Sequence, residues 1–288
     1  MIAVTPLALK ALSAEKTDLA VFVYEDAGLA GAKALPNPAK TALNAMLKEE
    51  GFKARSKEVC RVSLEILGRT RRVFAVGLGK KKGSGPESLR LAAGALVSAI
   101  RSKCPKVAVL CSEFPQAIAE GMTLSSYKYE EYKKGDDDTL KSAHMVAADA
   151  ASRAPVEKAC AQAALVCEAV ALARDLVNRA PSDKTPKSLA DLAETFAGTG
   201  VSVTVIDKEK AEELGMGSFL GVARGSAQPP VMVHMVYKPK AATKKRVALV
   251  GKGVCFDSGG LSLKPAAAME DMKSDMAGAA SVIAVFKV

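Results

Sequence analysis

Apolar and polar positions along the first 111 residues form runs that predict four strands and one helix. DLAVFVYE (18–25), VCRVSLEIL (59–67), RRVFAVGLG (71–79) and KVAVLC (106–111) are short, rich in β-branched residues and bounded by polar or glycine positions, as strands are. Between the last two, PESLRLAAGALVSAIR (86–101) begins on proline and repeats apolar residues every three or four positions, which predicts a helix. Strand, helix and strand in this order indicate a right-handed crossover in a mixed α/β domain.

The remaining pattern continues with one long helix and several shorter elements. SAHMVAAD (142–149) predicts a strand, and PVEKACAQAALVCEAVALARDLVNRAP (155–181) predicts a helix whose apolar stripe recurs at four-and-three spacing. Short helices are expected near 187–197 and 208–214. Alternating or continuous apolar runs predict three further strands, VSVTVID (201–207), VMVHMVY (231–237) and RVALV (246–250). We expect the last of these to be buried on both faces of an α/β sheet.

Two domains follow from this order of elements and from a length of 288 residues. We predict an α/β fold with a smaller N-terminal domain at 1–153, a linking helix at 154–182 and a larger α/β domain at 183–288. The chain stops inside MAGAASVIAVFKV (276–288), an apolar helix with no stop signal at its far end. We therefore expect this sequence to be the front part of a longer protein.

The charge balance permits an anionic partner but does not require one. The formal net charge is +10, and only 5% of the residues are aromatic, which leaves few rings to stack on bases. Basic residues cluster in two loops beside predicted strand ends, Lys80, Lys81 and Lys82 in one and Lys244, Lys245 and Arg246 in the other. We expect solvated loops, with contact to nucleic acid as the alternative.

Cysteine usage and the apolar runs indicate a cytoplasmic protein. No two cysteines form a C-x-x-C pair, and most adjoin apolar residues, so we expect buried free thiols at Cys60, Cys104, Cys111, Cys160, Cys167 and Cys255. No apolar run reaches the roughly 18 residues that indicate a membrane span. The N-terminal segment lacks the basic start of a signal peptide and predicts a strand and a loop.

The densest chemistry follows the strand predicted at 246–250. A glycine-rich loop there carries Lys252, Asp257 and Lys264, and Asp275 comes soon after. Loops that leave the carboxyl edge of an α/β sheet often bind ligands, and glycines let the backbone approach them closely. Carboxylates and an amine at one place are suitable ligands for divalent cations. Lys252 would have to be neutral to ligate, which burial beside a cation would achieve by depressing its pKa.

Simpler interpretations of the polar segments remain open. A basic, glycine-rich loop is often a phosphate cradle or an ordinary turn, although GKG without a following Ser or Thr fails the P-loop pattern. GLGKKKGSG (77–85) misses the dinucleotide-binding spacing and is expected to be a connecting loop. YKYEEYKKGDDD (127–138) lacks the EF-hand spacing, so we expect a solvated loop. His144 and His234 are expected to be structural.

The residues after 250 resemble a known family. GKGVCFDSGGLSLKP (251–265) followed by MEDMKSDMAGAA (269–280) is similar to the signature of the leucyl aminopeptidase family, the two-metal cytosol aminopeptidases. The resemblance implies that Lys252 and Asp275 ligate one metal and that Asp257 contacts both. It also implies two divalent ions, Zn²⁺ or Mn²⁺, and a bicarbonate base in the complete protein.

Further roles come from the same resemblance. Lys264 matches the family's electrophile, which polarises the scissile carbonyl, and Met272 matches a methionine that lines the pocket for the N-terminal side chain. ARDLVNRAPSDKTP (173–186) and GMGSFLGVARGSAQPPVMVHMVY (215–237) resemble two further recurring segments of the family. The first domain resembles the family's N-terminal domain only loosely.

One part of the family pattern is missing from this sequence. The family's remaining metal ligands, an aspartate and a glutamate, and the arginine that places the bicarbonate, lie in a motif that does not occur in residues 1–288. Asp257 and Asp275 alone bring two negative charges against four on two dications. Glu270 and Asp271 could substitute, but their position just before a helix fits complementation of the helix dipole better.

The resemblance implies a cytoplasmic metallo-aminopeptidase that releases N-terminal residues, leucine-like ones preferred, from peptides and assembles as a homo-hexamer. Two alternatives stay open: a nucleic-acid-binding or regulatory protein on the same fold, and a catalytically inactive subunit.

Overall fold

The computed structural model describes residues 1–30, 32–111, 113–133, 140–198, 200–241 and 245–288. These residues divide into two compact units, Met1–Glu168 and Ala169–Val288, and the division falls inside a long helix. Strands and helices alternate through most of the chain, so the predicted α/β fold class is confirmed. Among the described residues, no helix combines the length and the apolar composition needed to cross a membrane.

Within the described residues, the first unit contains a seven-stranded sheet. The strands are β1 (Ala3–Ala8), β2 (Asp18–Tyr24), β3 (Gly28–Ala30), β4 (Val59–Ile66), β5 (Arg69–Gly77), β6 (Lys106–Leu110) and β7 (Ser142–Ala147). Their order in the sheet is β1-β7-β6-β2-β5-β4, and β3 pairs with the end of β2. Neighbours from β1 to β5 in this order run parallel, whereas β3 and β4 are antiparallel to their partners. Each strand predicted in this unit is present.

Helices cover both faces of this sheet, as parallel strands require. The helices are α1 (Leu9–Leu12), α2 (Asn37–Glu49), α3 (Pro86–Ile100), α4 (Pro115–Ser125) and α5 (Ala150–Asn178). On one face of the sheet, Phe22 and Phe74 pack against α3, α4 and the start of α5. On the other face, Leu19 packs against α1 and α2. The core of the first unit is therefore two apolar layers on either side of the sheet.

The long helix α5 begins earlier than its sequence predicts. It starts at Ala150, so Pro155 lies inside its second turn instead of at its beginning. A side-chain cap sets this start, because the Asp149 carboxylate accepts a hydrogen bond from the Ser152 amide at 2.8 Å. The predicted stripe is confirmed in its first half, where the side chains of Val156, Cys160, Ala163 and Cys167 are buried.

The cysteines are free throughout the described residues, but only half of them are buried. Cys104, Cys160 and Cys167 are buried, whereas Cys60, Cys111 and Cys255 are partly exposed. Burial raises the pKa of the Cys160 thiol to about 11, which keeps it protonated and unreactive near neutral pH.

The second unit is built from short elements around a smaller core. The elements are α6 (Pro186–Glu194), β8 (Val201–Ile206), α7 (Lys208–Glu213), α8 (Gly217–Ala223), β9 (Met232–Tyr237), α9 (Ala266–Met269), a 3-10 helix (Glu270–Ser274) and α10 (Ala277–Val285). Strands β8 and β9 pair with each other in an antiparallel, two-stranded sheet. The centre of the core contains Leu176, Leu189, Met276 and Ile283.

The strand predicted at 246–250 is wrong for this structure. Residues 245–250 have no strand pairing, and Val247 and Val250 are 85% and 96% exposed. A strand buried on both faces needs hydrogen-bonding neighbours and covering layers. The described strands of the second unit, β8 and β9, pair only with each other and supply neither. An apolar run in a sequence indicates that the segment tends to be buried, but it does not identify the strands or helices that would bury it.

Candidate metal centre

The loop that follows residue 250 lies directly against the start of α10. A Cβ atom on Gly251 would lie 2.4 Å from the carbonyl oxygen of Gly278, and one on Gly278 would lie 2.8 Å from the amide nitrogen of Lys252. The Ala279 amide donates a hydrogen bond to the Lys252 carbonyl at 2.9 Å. The two backbones can touch because both glycines lack side chains. This contact brings Lys252 beside Asp275, which precedes α10.

Four side chains from these segments meet as two ion pairs. Lys252 Nζ lies 2.9 Å from Asp275 Oδ2, and Lys264 Nζ lies 3.1 Å from Asp257 Oδ2. The Asp275 contact raises the pKa of Lys252, and the charge of Asp257 adds to the effect. Of the four residues that the sequence places in one site, the structure thus pairs Lys252 with Asp275 and Lys264 with Asp257.

Asp257 is held in place by its own loop. Its Oδ1 accepts a hydrogen bond from the Gly259 amide at 2.8 Å, and Gly259 adopts the left-handed φ of 94°. The Lys264 amide closes the loop by donating to the Ser258 carbonyl at 2.9 Å. The Gly259 amide and, next, the Lys264 ammonium lower the pKa of Asp257. The carboxylate is thus ionised and fixed in direction before any cation arrives.

Asp275 offers the chemistry of a cation ligand. Its Oδ2 atom is buried, and the Lys252 ammonium lies 2.9 Å from it. A buried carboxylate oxygen needs a compensating charge, and Lys252 supplies it here. The carboxylates of Asp275 and Asp257 and the amine of a deprotonated Lys252 are ligand types that suit a divalent cation. We predicted that burial beside a cation would make Lys252 neutral. This prediction is wrong in one respect, because the Lys252 side chain is 61% exposed and not buried.

The described residues do not complete a metal shell by themselves. Among them, no group of three or more His, Cys, Asp or Glu side chains is placed to hold a metal ion. Glu270 and Asp271 are exposed on the first turn of the 3-10 helix, as dipole complementation predicts. Met272 lies on the same 3-10 helix and is partly buried, so its role in a substrate pocket stays a prediction.

Lys184 belongs to this region, although the sequence gives no sign of it. Its side chain is fully buried, and its ammonium donates to the backbone carbonyls of Val177 and Lys273 at 3.1 and 2.7 Å. Burial lowers the pKa of Lys184, and the nearby Cys255 partly offsets this. A lysine between two prolines ordinarily predicts an exposed loop, so only the three-dimensional structure reveals its burial.

The other polar segments have structural contacts. In the 77–85 loop the Lys81 ammonium lies 5.8 Å from the centre of the Tyr24 ring and 3.9 Å from Glu113. His144 Nδ1 pairs with the Thr5 hydroxyl at 2.9 Å across β1 and β7, and His234 is exposed on β9. Residues 136–138 of the acidic run and Lys244 of the second basic cluster lie outside the described residues.

The fold and the site define a class of two-domain α/β proteins with a candidate cation centre at a glycine-rich loop. Known families place the chain more narrowly. The cytosol aminopeptidase family matches it twice, through its N-terminal domain at residues 20–136 and its catalytic domain at residues 171–288. The chain belongs to this family.

Curated relatives carry the same assignment. A probable cytosol aminopeptidase of Nostoc punctiforme is 36% identical over 283 residues, which cover 93% of this chain and 57% of the relative. One from Trichormus variabilis is 37% identical over 285 residues, with the same two coverages. The chain thus spans a little over half the length of these relatives.

Solved structures agree with the sequence comparison. The bottromycin maturation enzyme BotP in complex with Mn is similar with a TM-score of 0.74 and 31% identity, over 95% of this chain and 56% of that protein. A tomato leucine aminopeptidase mutant is similar with a TM-score of 0.75 and 28% identity, over 100% of this chain and 59% of that protein.

Proposed function

We propose that the protein is a metallo-aminopeptidase that releases N-terminal residues, leucine-like ones preferred, from peptides. The observation that carries this proposal is the pair of ion contacts at the glycine-rich loop, Lys252 with the buried Asp275 oxygen and Lys264 with Asp257. Membership of the cytosol aminopeptidase family supports it.

In this proposal Lys252, Asp257 and Asp275 hold the cations. Bound divalent ions supply Lewis acidity and an activated water. Lys252 must lose its proton to become a ligand, because an ammonium has no free lone pair. Asp257 is already ionised and oriented by the Gly259 amide. Lys264, which faces Asp257 at 3.1 Å, keeps its charge and stabilises the oxygen that becomes negative when water attacks the carbonyl.

The finer features of the proposal come from the family resemblance and from one neighbour. We propose two ions per site, Mn²⁺ or Zn²⁺, and the manganese named for BotP supports the first of these metals. Bicarbonate as a base, a homo-hexameric assembly and a cytoplasmic location are proposed on the resemblance alone. The additional acidic ligands would have to come from outside the described residues.

The test is hydrolysis of leucine p-nitroanilide by the whole gene product in the presence of Mn²⁺ or Zn²⁺. Lys264→Met removes the charge that faces the developing oxyanion, and we expect kcat to fall by about 100-fold or more. Asp275→Asn removes a cation ligand, and we expect a similar loss that excess metal partly restores.

Lys187→Met is the matched control. Lys187 is a surface lysine of α6, its side chain is 74% exposed, and its ion pair among the described residues is with Asp191 four residues later. We expect its kcat/KM to stay within twofold of the unmodified protein. Equal rates in Lys264→Met, Asp275→Asn and the unmodified protein would contradict the proposal.

A further inference from the structure

Lys184 is a buried ammonium without a carboxylate partner among the described residues. It follows α5 in the segment between Pro181 and Pro186, and its side chain is 0% exposed. Its ammonium donates to two backbone carbonyls, that of Val177 at 3.1 Å and that of Lys273 at 2.7 Å. Desolvating a charge is costly unless hydrogen bonds compensate it. A charged side chain that is buried despite this desolvation cost needs a specific structural explanation.

The place of the two carbonyls suggests that explanation. Val177 lies in the last turn of α5, where carbonyl oxygens have no partner within the helix and attract a cation. Lys273 lies in the 3-10 helix, two residues before Asp275. Lys184 therefore connects the end of the long helix α5 to the short segment that precedes Asp275, a proposed cation ligand.

The segment that carries the second proposed ligand packs against the same core. Cys255, which stands two residues before Asp257, lies against the apolar cluster that contains Leu176 of α5 and Met276. Lys184 itself contacts the Asp275 segment through the Lys273 carbonyl. A second lysine strengthens the same junction, because Lys273 Nζ donates to the Asn178 carbonyl at 3.5 Å.

We infer that Lys184 is a positioning residue of the cation site, which fixes the Asp275 segment relative to the end of α5. The inference rests on the proposed function, since it assumes that these aspartates bind cations. Lys184 itself touches neither metal nor substrate. Positioning groups behind metal ligands commonly change metal affinity by 10- to 100-fold when they are removed.

The experiment measures Mn²⁺ binding to the whole gene product by electron paramagnetic resonance. Lys184→Met keeps a long apolar stem but removes the donor, and we expect the Kd for Mn²⁺ to rise at least tenfold. Ala193→Gly is the control for stability, because Ala193 is fully buried in the same core but lies on α6, which carries none of the proposed ligands. We expect this variant to lower the denaturation midpoint yet bind Mn²⁺ within twofold of the unmodified protein. Both variants are measured where they are fully folded.

Each outcome decides the inference. A tenfold weakening confined to Lys184→Met supports a positioning role. Unchanged binding in Lys184→Met overturns it, and so does a loss of affinity that Ala193→Gly shares in proportion to its lost stability. An unmodified protein that binds no Mn²⁺ overturns the manganese site on which both the proposed function and the inference rest. Unchanged binding in Lys184→Met overturns the inference alone, so the two failures are distinguishable.

A variant that fails to fold does not end the test. Lys184→Gln keeps an N–H donor on a shorter side chain and removes the positive charge. We expect it to show the same loss of Mn²⁺ affinity. Affinity equal to that of the unmodified protein would again overturn the inference.

Discussion

Individual charged side chains determine how the candidate site is arranged. Lys252 faces Asp275 and Lys264 faces Asp257, so each carboxylate is already balanced by an ammonium. A divalent cation would have to replace the Lys252 contact, and the proton that Lys252 carries would leave with it. Lys264 could keep its charge, because its role needs no lone pair. The two lysines therefore differ in chemistry although their ion pairs look alike.

His144 provides a pH-dependent test at the residue scale. Burial lowers its pKa, while Glu15 raises it and Lys106 lowers it further, and its Nδ1 faces the Thr5 hydroxyl. The unfolded state then binds more protons than the folded state just below the ordinary pKa of about 6.5. We expect the first unit to lose stability as the pH falls below that value, measured by urea denaturation.

His144→Gln should flatten this pH dependence, because glutamine does not titrate. The chain has two histidines, and the other supplies the control. His234 is exposed on β9, so His234→Gln should keep the pH dependence of the unmodified protein. A His144→Gln variant that retains the full slope would refute this account.

At the element scale, glycine contacts between backbones bring the ligands together. Gly251 in the loop and Gly278 at the start of α10 allow an approach that any side chain would prevent. The Ala279 to Lys252 hydrogen bond then fixes the relative position of the two segments. The relative position of Lys252 and Asp275 thus depends on two glycines that have no functional side chain.

Gly278→Ala tests this dependence. Its Cβ would lie 2.8 Å from the Lys252 amide nitrogen, so the backbone must shift. We expect a loss of about 1–3 kcal/mol in the free energy of unfolding of the second unit, as for other overpacked sites. Mn²⁺ affinity should fall by about tenfold or more.

Gly221→Ala is the matched helical control. Gly221 lies inside α8, and a Cβ there would meet nothing within 4 Å. Alanine should therefore stabilise the helix by roughly 0.5–1 kcal/mol without changing Mn²⁺ affinity. If both variants changed the free energy of unfolding in the same direction, helix propensity and not the close contact would determine the effect of Gly278→Ala on stability.

At the scale of the whole molecule, the two units differ in how fully their sheets are built. The first has a sheet covered on both faces, whereas the described strands of the second form a two-stranded sheet. Two-stranded sheets are marginally stable unless other elements pack on them. The second unit also exposes large apolar side chains, among them Val247, Val250 and Leu261.

Hydrogen exchange on chain 1–288 tests this difference. We expect the amides of β2 and β5 to be the most protected and those of 245–250 to exchange on the order of 100-fold faster or more, because the latter have no strand partner. Protection of 245–250 equal to that of β2 would mean that this segment pairs as a strand in solution.

Sequence patterns predicted the first unit well, because runs such as 18–25 and 71–79 are apolar enough to be central strands and their partners lie within the unit. They failed at 246–250, where the same signal has no partner among the described strands. They missed the start of α5, although Asp149 and Ser152 form a recognisable cap signal. The Lys252, Asp257, Lys264 and Asp275 set was predictable from its motif. The burial of Lys184 was not, because one lysine in a loop has no periodicity.

The account makes one central claim, that Asp275, Asp257 and Lys252 form a cation site. A crystal structure of the whole gene product soaked in Zn²⁺, with anomalous scattering recorded at the zinc edge, tests it most directly. We predict a zinc peak about 2.0–2.2 Å from an oxygen of Asp275, with Lys252 released from its ion pair and its nitrogen turned to the metal. A peak only at other residues, with Lys252 and Asp275 still paired, would contradict the claim.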